Sequence, residues 1–318
     1  MKKVLVTGGC GLIGDHVCSG FLKKGYEVVA VDKNQSNYNL NKAHFTLYCA
    51  SPFDKEAYAD IMERHEVDTV IHLACTADND LDNIITESDM QENDECNSFI
   101  YKLAIANQVK QFILISTTQV YQVPKTREPL REDDFTKPVT NYAKLKTASE
   151  EKLSLDIGRR PDMTVAIIRL APIYTKDFYQ NLEAKITDPK DNTKFIYRTG
   201  EYGFHMCCLH NLVDFLLNFV QTAFEDNHLT GIYNMADEHL VMASEIVNYM
   251  KQYHKLGIVL QRNLPNASLK MIQTMIGSKE MKTNYRFLDF TKIMNNTTFD
   301  VSKAARFCSF RWNINKVK

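Results

Sequence analysis

Two groupings among the 318 residues could do chemistry. The first is Tyr142-Ala143-Lys144-Leu145-Lys146. Tyr142 and Lys146 stand at i and i+4, so a helix places them on one face about 6 Å apart. A free tyrosine has a pKa of about 10 and is a poor base at neutral pH. An adjacent ammonium favours the phenolate and lowers that value. The pair could then exchange a proton with a hydroxyl or carbonyl while a hydride moves elsewhere. The second grouping is Gly9-Cys10-Gly11-Leu12-Ile13-Gly14, a G-x-G-x-x-G run overlapped by Gly8, Gly11 and Gly14 at three-residue spacing. Glycine there permits a tight turn, close approach of the backbone to a pyrophosphate and close helix–strand packing. The N–H groups opening the following helix, at Leu12, Ile13 and Gly14, would face the anion. Asp32 ends the next apolar run, VVAVD, about 20 residues on, where a carboxylate accepts hydrogen bonds from a ribose 2′-OH. That favours NAD over NADP, although Lys33 leaves room for a 2′-phosphate.

These residues need a frame, and the first half of the chain reads as one. Apolar runs at Lys3–Val6, Glu27–Val31, Phe45–Tyr48, Thr69–Leu73, Phe112–Ile115 and Thr164–Ile168 predict strands. Helices are expected between them over Leu12–Lys24, Lys55–His65, Met90–Asn107 and Asn141–Leu155. Continuous apolar runs suit strands buried on both faces. Strands alternating with helices predict βαβ units and a parallel sheet. The expected class is α/β, a Rossmann doubly wound sheet with helices on both faces. Residues 1–172 form that part, with 209–236 returning to it through a helix at Leu209–Phe224 and a strand at Gly231–Asn234. Residues 173–318 are expected to be mainly a smaller α/β substrate lobe, with loop over Tyr174–Lys194 and a helix at Ala243–His254.

Composition excludes other classes. Hydrophobic residues are 44% and charged residues 24%, which is globular rather than disordered or fibrous. A net charge of −1 argues against nucleic-acid binding by bulk charge. No apolar run approaches about 18 residues, so no membrane span is expected. MKKVLVTGG lacks the apolar core and cleavage site of a signal peptide, which makes a cytoplasmic location the default. Eight cysteines form no C-x-x-C pair and nine histidines no H-E-x-x-H, so no metal site is expected. His72 reads as a packing residue.

Together the motifs resemble the extended short-chain dehydrogenase/reductase superfamily, in its NAD-dependent epimerase/dehydratase group. Thr7–Gly14 matches T-G-G-x-G-x-I-G, and Val70–Ala74 (VIHLA) matches the segment whose backbone lines the cofactor at Leu73 and Ala74. Asn93 falls at a helix-opening Asn, and Ser116–Tyr121 (STTQVY) resembles S-S-x-x-V-Y. Asn141–Glu150, Arg169–Tyr174, Leu209–Asp214, Gly231–Ala236 and Asp300–Ala304 match further, weaker segments. The resemblance implies bound NAD, a catalytic trio of Thr117, Tyr142 and Lys146, and a homodimer built on the third and fourth helices. Ile100, Leu103, Ala104 and Asn107 could line that dimer face or the core. It implies substrate contacts at Thr76, Thr118, Tyr174, Arg262 and Arg286.

The departures narrow the activity. The Asp-Glu pair that serves water elimination in 4,6-dehydratases is Thr118-Gln119, so a dehydratase is disfavoured. The Asp that usually meets adenine is Ser51. No arginine stands in Gly203–Met206, where sugar-nucleotide enzymes hold a diphosphate; Arg262, Arg286 or Lys292 are its possible replacements. The expectation is a nucleotide-sugar epimerase working by transient hydride transfer to bound NAD. The alternative is an NAD(P)(H)-dependent carbonyl reductase or alcohol dehydrogenase on the same fold, which the missing arginine favours. A non-catalytic NAD-binding protein is third, and the intact trio argues against it.

Overall fold

A computed structural model describes residues 1–36, 39–75, 85–122, 128–157, 159–188, 191–197, 199–262 and 297–317. The chain runs β1 (Lys3–Thr7), α1 (Leu12–Lys23), β2 (Glu27–Asp32), β3 (Phe45–Cys49), α2 (Lys55–His65), β4 (Thr69–His72), α3 (Glu87–Ala106), β5 (Gln111–Thr117), α4 (Asn141–Ser154) and β6 (Thr164–Leu170). It continues through β7 (Ile173–Tyr174), α5 (Gln180–Lys185), β8 (Lys194–Tyr197), β9 (Gly203–Phe204), β10 (Cys207–Cys208), α6 (Leu209–Ala223) and β11 (Gly231–Met235). Last come β12 (Val241–Met242), α7 (Ala243–Tyr253) and β13 (Val259–Arg262).

Seven strands form one parallel sheet in the order β11-β6-β5-β4-β1-β2-β3. The apolar runs are continuous because alternate side chains feed two different cores. Val4, Val6, Val28, Ala30, Ile71 and Ile113 pack with α1 and α6 on one face. Leu5, Val29, Val31, Val70, Phe112 and Leu114 pack with α2, α3 and α4 on the other. Each Val, Leu, Ile or Phe among them, fully buried, contributes about 1.5–3 kcal/mol. Ile100 and Ala104 of α3 are fully buried in that second core. Leu103 packs at its margin, and the Asn107 amide donates to Leu103 O at 2.9 Å.

Capping explains where the helices begin. Asp54 accepts from Ala57 N, Thr140 accepts from Ala143 N, and Thr86 and Asp89 form a reciprocal capping box. That box starts α3 at Glu87, three residues before the apolar pattern predicted. The loop expected over Tyr174–Lys194 contains more order. Ile173–Tyr174 pairs with Cys207–Cys208, α5 follows, and β8 pairs with β13.

A third core gathers Tyr174, Leu182, Phe204, Met206, Val241, Ile246 and Tyr249. The Asp237 carboxylate lies beside it, accepting from Tyr174 Oη at 2.7 Å, Asn211 Nδ2 at 2.8 Å and Cys208 N at 2.8 Å. Burial pushes its pKa up to about 6, against the pull of those hydrogen bonds. The folded chain therefore holds this proton more tightly than the unfolded one. The resulting stability is fully present below about pH 4 and is lost as pH rises through about 6. Urea melts of wild type and Asp237→Asn should show the wild type gaining about 2 kcal/mol on the variant between pH 7 and pH 4. A difference independent of pH would contradict this.

Candidate active site

A cavity of about 730 Å³ opens at the C-terminal ends of β1 and β4, where the strand order reverses. The loop after β1 forms its floor. Gly8 adopts a φ of +71°, and the amides of Gly8 and Gly9 both donate to Val31 O, which ties the loop onto β2. A Cβ on Gly14 would stand 2.2 Å from Gly8 O, so the turn and helix can meet this closely only through glycine. Gly11 is different. A Cβ there would meet nothing nearer than Gly8 O at 3.4 Å, because its open side is the cleft. Helix α1 begins directly after it with no side-chain cap, so its first N–H groups and dipole end stand at the cavity.

Asp32 ends β2 at the same cavity, accepting from Cys10 N at 2.9 Å and Asn34 N at 2.9 Å. Those bonds fix the carboxylate and leave lone pairs on both oxygens. Burial, then Asp32, Asp15 and Cys49, push the Cys10 thiol up to about 11, so it stays protonated and unreactive. Ser51 also lines this end. Leu73 and Ala74 follow β4 into the cavity, and their amides both donate to Thr7 Oγ1 at 3.2 Å.

Thr117, Tyr142 and Lys146 line the opposite wall. Thr117 ends β5, and its Oγ1 accepts from Gln119 N at 3.2 Å. Tyr142 and Lys146 lie one turn apart on α4, with the ammonium 6.0 Å from the centre of the phenol ring. Lys146 Nζ donates to Ile115 O at 3.1 Å. Burial opposes its charge, but Cys75, Tyr142 and Glu150 more than offset that and hold its pKa above the ordinary lysine value. It is therefore a permanent cation beside the phenol. One further turn along α4, Glu150 meets Arg169 of β6 at 2.8 Å, with both side chains at most 5% exposed. Ser116 Oγ donates to Glu150 at 2.5 Å, which couples this pair to the residue preceding Thr117.

The structure thus brings Gly8, Gly11, Leu12, Ile13, Gly14, Asp32, Leu73, Ala74, Thr117, Tyr142 and Lys146 to one cavity. Other expected site residues lie elsewhere. Asn93 is buried between helices, donating to Ser149 Oγ. Thr118 is buried under the turn that follows β5, and Gln119 takes the place at the cavity. Tyr174 is fully buried against Asp237 because the bridge to β10 turns its ring into the third core. Arg262 is spent on Asp188, at 2.8 Å, and on the face of Phe195. Thr76, Arg286 and Lys292 lie outside the described residues. His205, within the segment that lacks the arginine, is buried with Nε2 donating to Asp237 O and Nδ1 accepting from Phe299 N. Sequence reasoning missed Phe178 and Asn181, which line the same cavity. They follow two-residue strand β7, where no periodicity announces a direction. Among the described residues, no group of three or more His, Cys, Asp or Glu could hold a metal ion, and no helix is long and apolar enough to cross a membrane.

The architecture has close counterparts. The UDP-Glc/GlcNAc 4-epimerase structure from Campylobacter jejuni superposes with a TM-score of 0.74 at 16% identity, covering 98% of this chain and 94% of that one. The UDP-glucuronic acid 4-epimerase from Bacillus cereus, in complex with NAD, gives 0.68 at 16% identity over 99% and 95%. In sequence, the UDP-glucose 4-epimerase of Bacillus subtilis (strain 168) is 33% identical over 176 residues, which are 52% of this chain and 51% of that protein. The matched segments span about half the length of such curated relatives. Residues 4–196 match the profile of the NAD dependent epimerase/dehydratase family, and that span carries the phosphate loop, Asp32, Thr117, Tyr142 and Lys146. With well over half of its length matched, the chain belongs to that family.

Proposed function

We propose that the protein is an NAD-dependent epimerase acting on the sugar of a nucleotide sugar. One observation carries the reading: Tyr142 and Lys146 share a cavity with the glycine loop and Thr117. The residues fit the cofactor. Gly11 leaves a cradle that even a methyl group would fill, uncapped helix α1 offers N–H groups to a pyrophosphate, and Asp32 offers a carboxylate to a ribose. NAD, when bound, supplies a reversible hydride acceptor. Tyr142 Oη takes the proton from the sugar hydroxyl being oxidised and returns it when the other epimer forms. Lys146 holds positive charge beside that phenol throughout, and Thr117, which lines the same cavity, donates from Oγ1 to the reacting oxygen in this reading. Gln119, an amide at the cavity, cannot serve as an acid for water elimination. The relatives named above act on UDP sugars, which supports a nucleotide diphosphate substrate. The same reading makes the protein a cytoplasmic homodimer, to be checked by sedimentation.

The test is to identify what the purified protein releases on denaturation, by mass spectrometry, and to follow a sugar-nucleotide panel by NMR. Released NAD(H) with interconversion of epimers and no net change in NAD(H) supports the proposal. Stoichiometric NAD(P)H consumption would establish the reductase alternative instead. Gly11→Ala sharpens the cofactor claim. Its backbone, at φ −70°, accepts alanine and the fold has room for the methyl. The melting temperature should therefore hold while the Kd for NAD rises at least about tenfold, or about 1.4 kcal/mol. Unchanged affinity by calorimetry would remove the loop from the site.

A further inference from the structure

We propose that His72 is a positioning residue: a neutral imidazole protonated on Nε2 that carries a one-way hydrogen-bond chain from the base of the glycine loop to the helix bearing Tyr142 and Lys146. The direction of the chain follows from counting donors. Thr7 Oγ1 accepts from two backbone amides, Leu73 N and Ala74 N, each at 3.2 Å. A hydroxyl has two lone pairs and one proton. Ala74 N holds one lone pair and Leu73 N, shared with the backbone Thr7 O at 3.2 Å, approaches the other, while the hydroxyl proton has His72 Nδ1 as its acceptor among the described residues, so the contact of 2.7 Å with Nδ1 is donated by Thr7. Nδ1 is then an acceptor, and the ring proton sits on Nε2. Nε2 donates to Asn97 Oδ1 at 2.6 Å. This fixes the amide, whose Nδ2 donates to Ser149 Oγ at 2.6 Å. Asn93 Nδ2 fills the second lone pair of Ser149, and the Ser149 hydroxyl donates to Leu145 O at 3.1 Å.

Reversing any link fails at the Thr7 end. A proton on Nδ1 would crowd an oxygen that already faces the Leu73 and Ala74 amides, and it would leave the buried Thr7 proton with no acceptor among these groups. All five side chains are at most 4% exposed, so water cannot repair a reversed bond. Burial also pushes the His72 pKa down to about 4, with Lys146 adding to the shift and the Asn97 hydrogen bond opposing it. The imidazole therefore stays neutral at working pH.

The chain joins the four elements that must agree for catalysis. Thr7 precedes Gly8, His72 precedes Leu73 and Ala74, Asn97 lies on α3, and Ser149 lies one turn beyond Lys146. It thereby sets the distance between the cofactor floor and the Tyr142–Lys146 wall. A misplacement of about 1 Å can cost about 100-fold in rate. The turnover part of this inference rests on the epimerase reading; the tautomer does not.

The test has two arms on the full-length protein. Histidine ¹⁵N NMR of wild type should show His72 with Nδ1 unprotonated and Nε2 protonated, without change from pH 8 to pH 5.5. Thr7→Val, which removes the hydroxyl that donates to Nδ1, should allow both tautomers. In the second arm, Ser149→Ala, which leaves the buried Asn93 and Asn97 amides without their acceptor, should lower the melting temperature by several degrees but, in protein still folded and loaded with NAD at the assay temperature, lower kcat about 10- to 100-fold with little change in KM. Asn97→Asp, which accepts from His72 but cannot donate onward, should match that loss. A proton on Nδ1, a charged ring at pH 6, or kcat within twofold of wild type in Ser149→Ala overturns the proposal. If no sugar nucleotide turns over in wild type, the epimerase reading falls, while the tautomer still decides between chain and no chain.

Discussion

Tyr142→Phe should abolish epimerisation, with kcat down about 10²- to 10⁴-fold, the range for removing a positioned acid–base group. The substitution deletes one oxygen from a ring that lines the cavity, leaving α4 and its cap untouched. Lys146 would keep its bond to Ile115 O, so the cation stays but has no phenol to act on. NAD content and melting temperature should match wild type, which separates lost chemistry from lost binding. Single-turnover measurement of the NADH absorbance with substrate would check the same step directly. Wild-type kcat in this variant would end the assignment of Tyr142 as acid and base.

Arg169→Met should cost about 3–5 kcal/mol of folding free energy, because it strands the Glu150 carboxylate in the interior. Arg169 loses more than one partner: its Nη1 also donates to Glu132 O, and its guanidinium lies 4.7 Å from the centre of the Tyr121 ring. With an unfolding entropy of about 2.1 cal/mol/K per residue, the melting temperature should fall by roughly 5–8 °C. The double variant Glu150→Gln/Arg169→Met should recover much of that loss, since it removes the unpaired charge. Calorimetry of the single and double variants would decide. A double variant no more stable than the single would mean that packing around Tyr121, not charge, dominates.

Much of this was legible in the sequence, for a physical reason. The phosphate loop and the Tyr142–Lys146 pair are encoded by short-range spacing, and parallel strands buried on both faces write themselves as apolar runs. Helix bounds fell within a few residues, with α3 displaced because a capping box outranks apolar periodicity. The residues expected to contact a substrate were harder. Tyr174 is aimed by a bridge to Cys208, more than thirty residues away, and Arg262 by an ion pair with Asp188. Neither partner can be read from local pattern. Gln119, Phe178 and Asn181 reach the cavity from turns whose directions depend on the strands before them.

The return of β11 to pair with β6 has a consequence for the chain as it is made. Until Gly231–Met235 emerges from the ribosome, β6 is a bare sheet edge of seven buried, mostly apolar residues. Roughly sixty residues separate the two strands, which at about 5–20 residues per second leaves that edge open for several seconds. An unpaired apolar strand of this kind is a template for joining another chain. The nascent protein is thus most exposed to aggregation when its cofactor floor and its Tyr142–Lys146 helix are already synthesised, and a chaperone that holds β6 would act in that interval.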